Sequence, residues 1–257
     1  MSNFEKYKVE LDALNLITVD DLENLVKPLI KDAAKITAKK SSTIPDNSHL
    51  KSHFGGQPYF EKGEAWPKTK SGYNLGFVFQ IYNEDNALPQ NIKLLQFFID
   101  WEDSPYTTAD DGWLVKIYEK LNPNNFVLIK KPQENDNVNY CEINLETVKS
   151  LPDWEGIDTY CENASNLSVV LNPEDPSSHY WETFNKFIGE PHMNSQLGGY
   201  PHWLQSDGTP EKDNFDFLFQ LDSLEDEVEG LYFGDCGVVY VFYNSKSKEF
   251  EFIMQCC

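Results

Sequence analysis

An α+β fold, made of two internally duplicated, largely antiparallel β-rich units with a few flanking helices, is the architecture this sequence predicts. Three observations carry it. Short aromatic or β-branched segments bounded by Gly, Asn, Asp or Pro outnumber helical patterns. Helical patterns do not alternate with strands as they would in a doubly wound parallel sheet. The chain also matches itself at three places in the same order. With 257 residues, 40% of them apolar and 14% aromatic, there is ample material for a sizeable core, so disorder of the whole chain is excluded.

Taken in order, the first element is a helix. Thr18 stands before Asp20 and Asp21, and Leu22, Leu25, Val26, Leu29 and Ile30 form one apolar stripe. Pro28 interrupts that stripe and should kink or loosen it. Strands are expected over 75–81, 93–99, 112–118, 126–130, 137–143, 167–171, 215–221, 237–243 and 249–254. A second helix is expected over 176–188, with Asp175 as cap, Pro176 in its first turn and Gly189 at its end. Its inner face, Tyr180, Trp181, Phe184, Phe187 and Ile188, is an aromatic anchor for a sheet rather than a cofactor box. No Gly/Ser linker divides the chain, so closely packed parts are expected: a helical segment over 1–32 and β-rich repeats over 33–135 and 136–257.

The self-match rests on Phe54-Gly55-Gly56-Gln57-Pro58-Tyr59-Phe60 against Leu197-Gly198-Gly199-Tyr200-Pro201-His202-Trp203. Phe77 to Ile81 then parallels Phe217 to Leu221, and Leu94 to Asp100 parallels Val238 to Asn244. Each Gly-Gly-x-Pro reads as a structural turn that needs positive φ or close backbone approach at its glycines. Neither opens a strand-to-helix turn as a phosphate cradle would. Gln80 and Gln220 end apolar runs, where a buried amide must find partners. They either tie backbone together or face a groove and bind something polar.

These residues resemble the YwqG-like proteins, the DUF1963 family of bacterial proteins. The resemblance rests on Gly55 to Pro58, Trp66-Pro67, Phe77 to Ile81, Leu95 to Phe98, Gly198 to Pro201, Gln220-Leu221-Asp222, Gly234-Asp235-Cys236-Gly237 and Gln255-Cys256, and spans about residues 33 to 257. It implies an α+β fold with internal duplication and supplies no established activity and no catalytic residues. Many members insert a Cys-Pro-x-Cys-type segment after Trp-Pro; Lys68 to Gly72 lacks it, and with it any metal role of that insert.

Charge narrows the function further. The chain has 42 Asp and Glu against 21 basic residues, every one a Lys, for a net charge of −21. Residues 151–257 hold 20 acids against four lysines. Without guanidinium forks or clustered cations, nucleic acid is not an expected partner. No apolar stretch approaches a membrane span and residues 1–14 do not read as a signal peptide, so a cytoplasmic protein with no membrane partner is expected. Cys141, Cys161, Cys236, Cys256 and Cys257 are odd in number without CxxC spacing and read as reduced thiols. Cys256 and Cys257 read first as buried filler at the end of an apolar strand; the alternatives are a vicinal bridge or reaction with oxidants.

Hydrolase, nucleotide-loop and zincin signatures are absent from the sequence. His49 and His53 have i, i+4 spacing, but Pro45 and Gly55-Gly56 argue against a helix between them, so neither a metal nor a cofactor is expected. His179 falls on the polar side of the second helix, and His192 and His202 flank the second Gly-Gly-x-Pro. The leading expectation is a non-catalytic acidic binding protein that masks a basic protein partner in the manner of an immunity protein. Its acidic patch would include Glu225, Asp226, Glu227 and Glu229. The alternative is a small-ligand binder or enzyme with a pocket between the repeats, where Gln80, Gln220, Trp66, Trp203, His202 and Asp222 converge.

Overall fold

A computed structural model describes residues 3–41, 43–84, 86–134, 137–189, 195–224 and 226–256. Glu225, His192 and Cys257, all singled out above, lie outside the described residues. The chain forms two compact units, each assembled from separate stretches of sequence. The helical unit comprises Met1–Ala33, Thr147–Met193 and Gly199–Glu211, and the sheet unit Ala34–Glu146, Asn194–Gly198 and Lys212–Cys257.

In the helical unit, α1 (Asn3–Ala13) leads to α2 (Val19–Val26). Thr18 and Asp21 close a capping box: the Thr18 hydroxyl accepts from the Asp21 N–H, and the Asp21 carboxylate accepts from the Thr18 N–H. Helix α2 stops at Val26, and the chain tightens into a 3₁₀ turn over Lys27–Leu29 that contains Pro28. Later in the chain come α3 (Ile157–Tyr160), α4 (Glu162–Leu171) and α5 (Ser178–Ile188). Leu11, Leu22, Val26, Leu167, Tyr180 and Phe184 meet in one apolar core.

Helix α4 corrects the expected strand over 167–171. Ala164 and Leu167 share its buried side and the Ser168 hydroxyl donates to the Ala164 carbonyl, so packing on the other helices overrides the β-branched run Val169-Val170. Helix α5 begins at Ser178 with no side-chain cap, later than the Asp175 cap predicted.

The strands, which lie wholly or mostly in the sheet unit, are β1 (Lys31–Lys40), β2 (His53–Phe54), β3 (Gly76–Tyr82), β4 (Leu94–Ile99) and β5 (Trp113–Tyr118). They continue with β6 (Cys141–Ser150), β7 (Gln196–Gly198), β8 (Asp216–Asp222), β9 (Val238–Tyr243) and β10 (Phe250–Gln255). Together they make one large antiparallel sheet in the order β10-β9-β8-β7-β1-β6-β2-β3-β4-β5. The expected strand over 126–130 reduces to one isolated bridge, Phe126 with Glu61. Strand β1 has no counterpart in the sequence reading, because its buried residues are largely alanines among lysines.

Read inward from either edge, three antiparallel strands are followed by a short strand next to a Gly-Gly pair. A register shift lies between Phe77 and Phe79 on one side and between Phe217 and Phe219 on the other. The core lies where those strands face each other. Phe79 meets Phe219 edge-on at 5.2 Å, and Phe97 touches both Phe219 and Phe252. The segment before β5 closes on the far edge: Thr107 bridges Ile253, and the Met254 N–H donates to the Tyr106 carbonyl at 2.8 Å.

Candidate functional site

The repeated motifs turn out to be chiefly backbone devices. Gly55 and Gly56 have φ of +51° and +70°, and Gly198 and Gly199 have +64° and +74°. A Cβ on Gly56 would stand 2.7 Å from the Tyr140 ring, and one on Gly199 2.6 Å from the Ser150 hydroxyl. Pro58 and Pro201 then lead the chain into Tyr59 and His202, both buried.

Gln80 is fully buried and completely occupied. Its Oε1 accepts from the Tyr59 N–H (3.1 Å) and from Gln96 Nε2 (3.2 Å), while its Nε2 donates to the His49 and Lys51 carbonyls (3.0 and 2.9 Å). That clasp fills both donors and both acceptor sites of the amide. Gln220 is equally buried, on β8 between Gln196 of β7 and Tyr240 of β9. The Trp66 indole donates to the Leu75 carbonyl (2.7 Å) and packs on Phe60 and Phe98. Asp222 ends β8, where its N–H donates to the Ser195 hydroxyl (3.0 Å) and partial burial pushes its carboxyl up.

His49 stacks on Phe126 at 3.8 Å, and His53 is buried on β2 with Nδ1–H donating to the Gly55 carbonyl (2.7 Å). Burial pushes the His53 imidazole down to about 4, so it is neutral. Among the described residues no group of three or more His, Cys, Asp or Glu is placed to hold a metal ion.

Of the acidic patch, Asp226, Glu227 and Glu229 are exposed on the turn between β8 and β9, where Glu229 accepts from the Asn139 amide at 2.6 Å. A denser acidic surface lies elsewhere in the sheet unit. Five carboxylates, Asp100, Glu102, Asp103, Asp111 and Glu134, line a cleft of about 760 Å³ together with Thr69 and residues 71–74 of a hairpin, and no lysine is among its described lining residues. Asp100 directly follows β4, and its carboxylate accepts from the Glu102 N–H (3.1 Å), turning the chain there. Gly112, before β5, passes so close that a Cβ would stand 3.1 Å from that of Asp100. The hairpin is tied on by the Lys70 N–H donating to Asp111 (2.6 Å), and by the Asn74 amide donating to Glu134 (2.9 Å). Asp110 fixes the connecting loop by accepting from the Tyr106 and Thr107 N–H groups, bonds that hold its carboxyl below the usual range.

This cleft does not show in the acid excess of any one stretch of chain. The five acids come from two loops, between β4 and β5 and between β5 and β6, within residues 41–150, whose balance of 15 acids to 10 lysines is unremarkable.

His202 and Trp203 line a second, smaller cavity, in the helical unit, of about 310 Å³, with Asp153, Glu155, Trp181, Leu204 and Gln205. No helix among the described residues is long and apolar enough to cross a membrane. The chain matches the family described as Domain of unknown function (DUF1963) over residues 52–255, which is most of its length. No curated protein matches it.

Proposed function

The chain belongs to the DUF1963 family, and from that premise we propose that it is a non-catalytic binding protein that receives a basic segment of a partner protein in the acidic cleft of its sheet unit. The observation that carries the reading is the cleft itself: five carboxylates from two loops around one concavity whose described lining includes no lysine. Most proteins place carboxylates apart or pair them; grouping them around a concavity focuses the field on an approaching cation. Masking a basic surface, as an immunity protein does, is the role that such a cleft suits. The cytoplasm is the compartment that fits, because Cys141, Cys161 and Cys236 are free thiols.

The same proposal includes a history of duplication, with the YwqG-like motifs as its trace. It is supported by a strand order that reads alike from both edges and by register shifts at Phe77/Phe79 and Phe217/Phe219.

The test is association with an oligolysine peptide followed by stopped flow at low and high salt. Glu102→Lys with Asp103→Lys should slow association by about tenfold or more at low salt, with a much smaller change in dissociation. Asp226→Lys with Glu227→Lys, on the turn outside the cleft, should slow it far less. Equal effects from the two pairs, or none from the first, would overturn the assignment to the cleft.

A further inference from the structure

The smaller cavity has a chemistry of its own. Asp153 lies 5% exposed at its wall, and two backbone groups hold its carboxyl in place: the Trp203 N–H donates to one oxygen at 2.5 Å and the Gly156 N–H to the other at 2.8 Å. Among the described residues it has no ion-pair partner. Two indoles, Trp181 and Trp203, share the lining, and Glu155 stands exposed as the cavity's second carboxylate. No lysine is among the described lining residues of this cavity either.

Burying a carboxyl without a cation is costly, and here the cost shows. Burial, followed by the charges of Glu155 and Asp207, pushes the Asp153 carboxyl up to about 7 although two N–H groups favour its ionised form. A backbone-pinned carboxyl without its counter-ion, in a cavity that two tryptophans also line, is a half-built site for positive charge. Indole faces attract cations most strongly among the aromatic side chains, and aromatic cages are the common means of holding a substituted ammonium. A volume of about 310 Å³ admits a small molecule and excludes a folded segment.

We propose that this cavity binds a small organic cation, an amine or quaternary ammonium compound, between Trp181 and Trp203 with Asp153 and Glu155 as its counter-charges. The site is independent of the acidic cleft, with which it shares no residue.

The experiment is calorimetric titration of the whole protein with choline, phenethylamine and 3,3-dimethylbutan-1-ol, the last a neutral isostere of choline. One of the two cations should bind saturably, and the neutral alcohol at least about tenfold more weakly than choline if choline is the one. Trp181→Leu and Glu155→Gln, whose side chains take no part in the Asp153 backbone clasp, should each weaken that cation several-fold. Affinity should rise with pH from about 6 to about 8 as Asp153 ionises, and this rise should flatten in Asp153→Asn. The other titratable groups that act on Asp153 or line the cavity are Glu155, Asp207, Tyr160, Tyr180 and His202. Should Asp153→Asn fail to fold, the first two variants still decide. Failure of both cations to bind, or binding of alcohol and choline alike, overturns the proposal, as does binding that Trp181→Leu and Glu155→Gln leave unchanged. Because Glu102→Lys and Asp103→Lys should not alter these titrations, the two proposals can fail separately.

Discussion

Gly198 and Gly199 share a left-handed backbone but differ in surroundings. Nothing lies within 4 Å of a Cβ built on Gly198, whereas one on Gly199 would press on Ser150 and Ala33 at 2.6 and 2.8 Å. Gly198→Ala should therefore cost only backbone strain, about 1 kcal/mol, and Gly199→Ala about 2–4 kcal/mol. Equal denaturation midpoints for the two would contradict that assignment. Asp153 makes a second prediction at this scale. Its carboxyl stands at about 7 when folded, against an ordinary value of 3.8, so between those limits the folded chain holds a proton that the unfolded chain has released. Stability from this group is full below about 4 and is lost as pH rises to about 7, on the order of 2–4 kcal/mol. Asp153→Asn should remove that fall, which urea denaturation across the same pH range would measure.

At the scale of elements, the two best-determined devices are a cap and a clasp. Thr18→Ala opens the capping box of α2 and should cost about 1 kcal/mol, with Thr18→Ser close to wild type in thermal midpoint. Gln80→Ala strands the Tyr59 N–H and the His49 and Lys51 carbonyls, and should cost about 2–4 kcal/mol. The same change should leave oligolysine association untouched if Gln80 serves only the fold. The cap and the strands β3, β4, β5, β8, β9 and β10 were legible in the sequence because each depends on a local pattern: Thr18 before Asp21, aromatic runs such as Phe77 to Ile81, and turn residues at their ends. Helix α4 was not, since Leu167 to Leu171 is locally strand-like and only its partners α1, α2 and α5 decide otherwise. The acidic cleft was illegible for a related reason: Asp100 and Glu134 are far apart in sequence, and nothing local in either points toward the other. His202 and Trp203 stand out in the sequence by following the second Gly-Gly-x-Pro, but Asp153, which shares their cavity, carries no motif.

For the molecule as a whole, −21 charges oppose compaction at low ionic strength, while the described ion pairs, such as Lys186 with Glu23 and Lys212 with Glu251, are largely on the surface and worth little each. Raising sodium chloride from about 0.02 to about 0.5 M should therefore raise the thermal midpoint through screening; a fall would mean that the pairs outweigh the repulsion. The discontinuity of the helical unit bears on how the chain is made. Helices α1 and α2 pack on α4 and α5, which leave the ribosome only after more than a hundred intervening residues. At about 5–20 residues per second, Leu11, Leu22 and Val26 wait roughly ten to thirty seconds for the surfaces that cover them. During synthesis α1 and α2 are thus unsheltered apolar segments, and helices that emerge well before their partners are among the last to be settled.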